Sequence, residues 1–412
     1  MNLKNTIRKL RTESHLSQEQ FAEIFEISQQ SVQKWESGDT VPELSKLVRI
    51  SQYFGISLDA LILENDNRIA DNMKGKNQIR PQYANIHDWE FYSSNLITEC
   101  RQSIEEGLDI QAYKDVFYAV SRLPKGEMQK KFGDVLFEIV TRAEINEKYP
   151  YIEPSDYEQI KALKRPYEYK KKDGVDFESR IQGAWNGRIC GCLLGKTVEG
   201  IKTDELIPFL KETGNYPMFR YILHSDLEKA DLSKYKFPFE SRTYADNIHE
   251  MPADDDTNYT VLYQEVVRRY GKEFTSYDVS RTWTELQIKE AYCTAERVAF
   301  CNFINGYMPP DSALYKNPYR EWIGAQIRGD YFGYINPGNP EAAAEMAWRD
   351  ASVSHTKNGI YGEMLVAAML AVAAETNDME DIVLGGLAQI PYTSRLYEAI
   401  HLVLDNYRNH YM

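Results

Sequence analysis

Asp254, Asp255 and Asp256 stand in a row, followed by Thr257, Asn258, Tyr259 and Thr260. Three adjacent carboxylates repel one another, so near a cavity they call for a cation or water to neutralise them. A hard divalent ion such as Mg²⁺ takes one or two carboxylates, with waters and substrate oxygens completing its shell. The run therefore offers half of a metal site. An acidic helix start is the plainer reading of these residues by themselves, because Asp is favoured at the positive end of the macrodipole.

Two further stretches bear on the choice. Arg180 to Glu199 carries Gly183, Gly187, Gly191 and Gly195 at every fourth position, which puts a bare row on one helix face. Such a row admits a second helix or a ligand at close range. Further on come Gly324-Ala-Gln-Ile-Arg328, Gly333-Tyr-Ile-Asn-Pro-Gly-Asn-Pro340, Asp350-Ala-Ser-Val-Ser-His355 and Asn358-Gly-Ile-Tyr-Gly-Glu363. In this order, over about residues 150 to 412, the three stretches resemble the ADP-ribosylglycohydrolase family, which removes ADP-ribose from modified proteins.

The resemblance implies an all-helical domain and a role for each matching residue. Asp254 stands at the family's Ser/Thr position, with Asp255 and Asp256 as its two aspartates, so all three become metal ligands. Glu199 matches the pocket glutamate. Glu199 and Asp256 are the catalytic candidates, with the metal orienting ribose hydroxyls and water. Gly324, Gln326 and Arg328 fall where the family cradles a diphosphate, Arg328 as the anion partner. His355 matches a histidine on the adenosine-ribose side, although a lone histidine is more often a satisfied structural residue. Tyr319-Arg320-Glu321-Trp322 reads as core beside that loop, and Trp348-Arg349-Asp350 as a brace for the His355 segment.

Two departures from the family pattern matter. Lys196 lies in a segment where many members carry an aspartate. The closing Asp-x-Asp-Thr-like motif does not occur before Met412, and Asp405 stands alone. One Mg²⁺ site is expected and a second is doubtful. Three outcomes stay open: a regulator whose C-terminal domain binds ADP-ribose or a related nucleotide, a working Mg²⁺-dependent ADP-ribosylhydrolase, or a gene fragment with no stable C-terminal function, whose mark would be a C-terminal half that does not fold alone.

The N-terminal residues carry a different function. Apolar positions from Ile7 to Leu61 recur at helical spacing. Ser17-Gln-Glu-Gln20 reads as a capping box, Ser28 as the next cap, and Gly38 as a helix stop. Thr40-Val-Pro-Glu43 reads as a second capping box with Pro42 in the first turn, and Ser57 as the cap of a short fifth helix around Leu58 to Leu61. Leu16-Ser-Gln-Glu-Gln-Phe-Ala, Ser31-Val-Gln-Lys-Trp-Glu-Ser-Gly and Ser57-Leu-Asp resemble the Cro/repressor-type helix-turn-helix family.

By that resemblance Gln29, Gln30, Ser31, Gln33 and Lys34 face double-stranded DNA, Gln18 meets phosphate or a base, and the domain works as a homodimer. Gln suits adenine N6 and N7. Lys4, Arg8, Lys9, Arg11 and Lys34 are the expected phosphate cations, although acids outnumber bases within residues 1 to 64. A helix-turn-helix used only for protein contacts is the alternative.

Behind these motifs stand the elements that must hold them. A chain of 412 residues can form two or three domains. The expected division is a helix-turn-helix domain over 1–65, a polar linker over 66–82, a helical spacer or dimerisation segment over 83–149, and the larger domain over 150–412. Hydrophobic content of 43% with 27% charged residues fits an ordinary globular protein, and a net charge of −14 argues against diffuse nucleic-acid binding by the whole chain. The five cysteines show no zinc spacing, and Cys190 and Cys192 read as small buried thiols. Met364 to Ala374 is too short to span a bilayer. With no charged-then-apolar leader, a reducing cytoplasm and no membrane partner are expected.

Overall fold

The computed structural model describes residues 3–56, 61 and 90–411. The chain divides into two compact units, Met1–Gln78 and Ile79–Met412. Both are helical. Among the described residues there is no strand, only an isolated bridge between Leu108 and Ile145.

In the first unit, α1 (Leu3–Glu13), α2 (Gln18–Ile24), α3 (Gln29–Ser37) and α4 (Leu44–Phe54) enclose Ile7, Phe21, Phe25, Val32, Trp35, Leu47 and Ile50. The capping box at Ser17 and Gln20 forms in both directions. Ser28 caps α3, and Gly38 ends it at φ 86°, a backbone conformation that suits glycine. The second expected box does not form. Glu43 is the N-cap of α4 without a side-chain bond, which leaves Thr40 and Pro42 outside the helix. The expected fifth helix and its cap, and the linker, lie outside the described residues except for Leu61.

The second unit begins with α5 (Leu96–Glu105), α6 (Lys114–Ser121) and α7 (Glu127–Arg142), packed over Leu96, Cys100, Phe117, Val120, Leu136 and Val140. Buried Arg320 donates to Glu99 (2.8 Å) and Glu106, and Glu90 pairs with Lys289 (2.9 Å) and Arg297 (2.8 Å). Arg320 is thus an ionic tie between this small bundle and the rest of the unit, not a filler of the core.

The remainder comprises α8 (Tyr157–Ala162), α9 (Phe177–Val198), α10 (Thr203–Glu212), α11 (Asp255–Tyr270), α12 (Ser276–Leu286), α13 (Thr294–Ile304), α14 (Asp311–Leu314), α15 (Asp330–Tyr334), α16 (Pro340–Ala351), α17 (Lys357–Ala373), α18 (Met379–Leu387) and α19 (Arg395–Tyr411). Apolar residues occur around the whole of α17, and the helix is buried accordingly. Gly333 allows α15 to sit on it. A Cβ there would lie 2.5 Å from Leu370 Cβ and 2.7 Å from the Ala367 carbonyl. The 209–244 region has its own core of Phe209, Ile222, Phe239 and Tyr244, fixed by Arg220 on buried Asp226 (2.7 Å). No helix among the described residues is long and apolar enough to cross a membrane.

Candidate active site

The acidic run sits where α11 begins. Asp254 is the N-cap and accepts from the Asp256 amide at 3.2 Å, while Asp255 and Asp256 occupy the first turn. Helix starts favour these charges, so the plain reading of the run holds locally. Position adds a second role. The run faces α9 across a cleft of about 690 Å³ lined by Gly187, Gly191, Gly195, Arg188, Cys192, Lys196, Glu199, Asp254, Asp255, Asp256 and Ile327. A Cβ built on Gly183, Gly187, Gly191 or Gly195 would meet nothing within 4 Å. The glycine row therefore opens onto space and packs no other helix among the described residues.

Two cations neutralise the run from α9. Lys196 Nζ lies 2.8 Å from Asp254 Oδ2 and 3.0 Å from the Ala253 carbonyl. Arg188 donates to the Asp256 carbonyl at 2.6 Å and to the Ile327 carbonyl, and lies 3.4 Å from the Asp256 carboxylate and 3.6 Å from Asp330. Asp330 also accepts from Thr260 at 3.0 Å. Burial acts to raise Asp254, but the Lys196 hydrogen bond and charge outweigh it and leave the carboxyl lowered. Asp255 is pushed up to about 6 by burial and then by Asp254 and Asp256. Asp256 is raised by burial against the pull of Arg188.

Donor atoms of Cys192, Asp254 and Asp256 lie within 4.8 Å of one another. That set fits one divalent cation, with Cys192 rather than Asp255 as its third member. Burial, then the Asp254 charge, pushes the Cys192 thiol up to about 12, so the oxygens are the ready ligands. Cys190, by contrast, is exposed. Glu199 follows α9 directly, exposed at the edge of the same cleft.

The expected diphosphate loop meets the cleft only through Ile327. Arg328 is fully buried and cannot serve as an anion partner from this position. Its Nε donates to Asp350 (2.6 Å), Nη1 to Glu296 (2.9 Å) and Nη2 to the Ser354 hydroxyl (3.0 Å), with Trp283 4.9 Å below the guanidinium. Three acids surround this one cation, and burial raises Glu363 well above the usual carboxylate range. Glu296 is raised to about 7, again chiefly by burial. Gly324 packs onto Glu296, whose carboxylate a Cβ would strike at 1.8 Å, whereas Gln326 is exposed beside Gly362. His355 is also buried, among residues that line a different cavity. The cleft thus gathers Glu199, Asp254, Asp255 and Asp256, but not Gly324, Gln326, Arg328 or His355.

Arg188 and Cys192 escaped the sequence reading. Their signal was present. Arg188, Cys192 and Lys196 recur every fourth position, one step round the helix from the glycine row.

In the first unit, Gln29, Gln30, Gln33 and Lys34 are exposed along α3 and Ser31 is half-buried against the Ser28 hydroxyl, while Val32 and Trp35 face the core. Gln18 is half-buried at the start of α2. Its side-chain amide donates to Glu36 at 2.8 Å. Arg11 holds the same buried carboxylate at 2.6 Å and is not available to phosphate. Burial opposes ionisation of Glu36, yet Arg11 and Gln18 bring its pKa below the usual value.

A helix-turn-helix family model matches residues 7–61. Over 118 residues the chain is 37% identical to the HTH-type transcriptional activator BcrR of Enterococcus faecalis. That match covers 24% of this chain and 58% of that protein, so the chain spans a little over half of that relative's length. No solved structure matches. A family model described as ADP-ribosylglycohydrolase matches residues 173–410, which include the cleft and both of its walls. With a DNA-binding helix-turn-helix domain at its N-terminus, the chain belongs to the ADP-ribosylglycohydrolase family.

Proposed function

We propose that this protein is a transcriptional regulator whose second unit binds ADP-ribose, or a related nucleotide, in the cleft between α9 and the start of α11. One observation carries the reading. A row of glycines leaves open space opposite a half-buried acidic helix start, so a sugar diphosphate can approach the α9 backbone while its hydroxyls face carboxylates. Asp254 and Asp256 would hold one divalent cation. Mg²⁺ suits their oxygens, and when bound it would polarise a ribose oxygen or water. Arg188 fixes Asp256 against Asp330, and Glu199 stands at the rim within reach of a proton on bound sugar.

The helix-turn-helix unit binds operator DNA as a homodimer in this reading, with Gln29, Gln30 and Gln33 at base edges and Lys34 at phosphate. Calorimetry on the full chain with Mg²⁺ tests the ligand. ADP-ribose should bind more tightly than AMP, and no heat with ADP-ribose rejects the assignment. A working hydrolase is the second reading, favoured by Glu199 and Asp256 lining one cleft. Release of ADP-ribose from modified arginine, serine or nucleic acid over many turnovers, abolished by Asp256→Ala, would establish it over simple binding.

A further inference from the structure

A second cavity, of about 590 Å³, shares no lining residue with the acidic cleft. Its floor is His355, Thr356, Ile360 and Ser352, its walls include Trp348 and Pro309, and Tyr277 and Leu314 are exposed at its mouth. This volume lies within the range of about 300–1,000 Å³ usual for small-molecule sites, which are mostly apolar with a few converging polar groups.

The polar groups of the cavity divide into two kinds. Most are engaged within the protein. Ser276 and Ser352 hydroxyls donate to the Arg349 and Trp348 carbonyls, each at 2.6 Å. Ser155 accepts from the Lys357 amide at 3.1 Å, and Asp156 caps α8. Arg349 is held by Glu345 and by the Lys272 carbonyl at 3.0 Å. Trp348 is pinned through its indole N–H to the Ser155 carbonyl at 2.9 Å.

Two adjacent groups have no partner among the described residues: His355 Nε2 and Thr356 Oγ1, on residues 1% and 6% exposed. Buried polar atoms are nearly always hydrogen-bonded, so two orphans side by side against one cavity are unusual. Thr356 is the N-cap residue of α17, yet its hydroxyl caps nothing.

The hydrogen-bonding state of His355 follows from its neighbours. Its Nδ1 lies 2.8 Å from the Ser354 hydroxyl, which accepts from Arg328 at 3.0 Å. Arg328 can only donate, and Nδ1 is the other partner of that hydroxyl among the described residues, so the serine proton points to Nδ1. Burial first, and then the Arg328 charge, keeps the ring neutral. Nε2 therefore carries the hydrogen and is a donor, with a second hydroxyl donor next to it.

We propose that this cavity is a binding site for a small neutral aromatic molecule bearing a carbonyl oxygen, which accepts from His355 Nε2 and Thr356 Oγ1 while its ring lies among Trp348, Pro309 and Ile360. A carboxylate fits less well, since no lining cation is available to it. The inference is independent of the ADP-ribose reading, because the two sites share no lining residue.

Ligand-observed NMR on the full chain, with benzamide, toluene and benzoate as probes, tests it. Benzamide should bind more tightly than either of the others. His355→Phe and Thr356→Val should each weaken benzamide about tenfold, the worth of one hydrogen bond, and leave toluene unchanged. Leu314→Trp, at the exposed mouth, should exclude both. In ¹⁵N-histidine spectra one imidazole Nε2 signal, absent from His355→Phe, should move with benzamide and stay still with toluene. Benzamide binding no tighter than toluene overturns the proposal. So does benzamide affinity unaltered by Thr356→Val and Leu314→Trp, and if His355→Phe does not fold these two variants and the wild-type comparison decide.

Discussion

Lys196 Nζ and Asp254 Oδ2 lie 2.8 Å apart, so the carboxylate that caps α11 is already neutralised by a side chain from the facing helix. An ammonium held there competes with any divalent ion for the same oxygen. Both groups are partly shielded from water, so the competition is not lost to screening. Lys196→Met should therefore raise divalent affinity, by roughly tenfold or about 1.4 kcal/mol. Titration with Mn²⁺, followed by electron paramagnetic resonance, reads this directly. Affinity that stays level or falls would show that Lys196 positions the site and does not compete.

The open glycine row separates stability from binding. Gly187 is helical, and alanine there meets nothing within 4 Å. Gly187→Ala should stabilise the protein by roughly 0.5–1 kcal/mol, because helical glycine carries an entropic penalty of that order. Gly191→Leu should leave the melting temperature near wild type yet abolish ADP-ribose binding by filling the cleft. Unimpaired binding in a folded Gly191→Leu protein would place the ligand elsewhere.

Glu296 gives the second unit a pH dependence. Burial, partly offset by Arg328, raises its pKa from 4.5 to about 7 in the folded state. A raised acid favours folding fully below its unfolded pKa, and that contribution declines as pH rises from about 4.5 through about 7. Glu296→Gln keeps an acceptor for Arg328 and removes the proton. Denaturant titrations from pH 5 to pH 8 should show wild-type stability falling more than the variant's, by on the order of 1–3 kcal/mol. Parallel curves would place the proton on another of the three acids.

At the DNA interface the two kinds of exposed side chain on α3 should behave differently. Gln33→Ala should weaken a selected operator by about 1–3 kcal/mol and relax one base position. Lys34→Ala should weaken all sequences alike and lower the salt slope. Gln18→Ala, bonded inward to Glu36, should instead reduce stability. Equal binding to selected and random DNA across salt concentrations contradicts base reading.

How legible was this in the sequence? Local signals were reliable where one short segment decides the outcome. Ser17, Ser28 and Gly38 mark the ends of α2 and α3 because caps depend on neighbours within a turn. Thr40 misled, since nothing local says that α4 begins at Leu44. The acidic run and glycine row were visible, but their facing each other is a tertiary fact. Arg328 and His355 show the limit most clearly. Both have residue types that suit a nucleotide site, and both are buried: Asp350 and Glu296 engage Arg328 from 22 and 32 residues away, and Ser354, held by the same Arg328, engages His355.

Arg395, the first residue of α19, carries a consequence for how the second unit is assembled. Its guanidinium reaches Glu153 and Glu321, each at 2.7 Å, and both carboxylates are nearly inaccessible to water. On a ribosome those two acids emerge 242 and 74 residues before their counter-cation. A buried acid without its cation is strongly unfavourable, so the nascent unit cannot close over Glu153 and Glu321 until its last helix is made. The helix-turn-helix unit waits for nothing of the kind. Its buried Glu36 follows Arg11 by 25 residues, and domains fold from the N-terminus as they are released. The helix-turn-helix unit is thus complete early in synthesis, while the cleft-bearing unit closes only after Arg395 has been made.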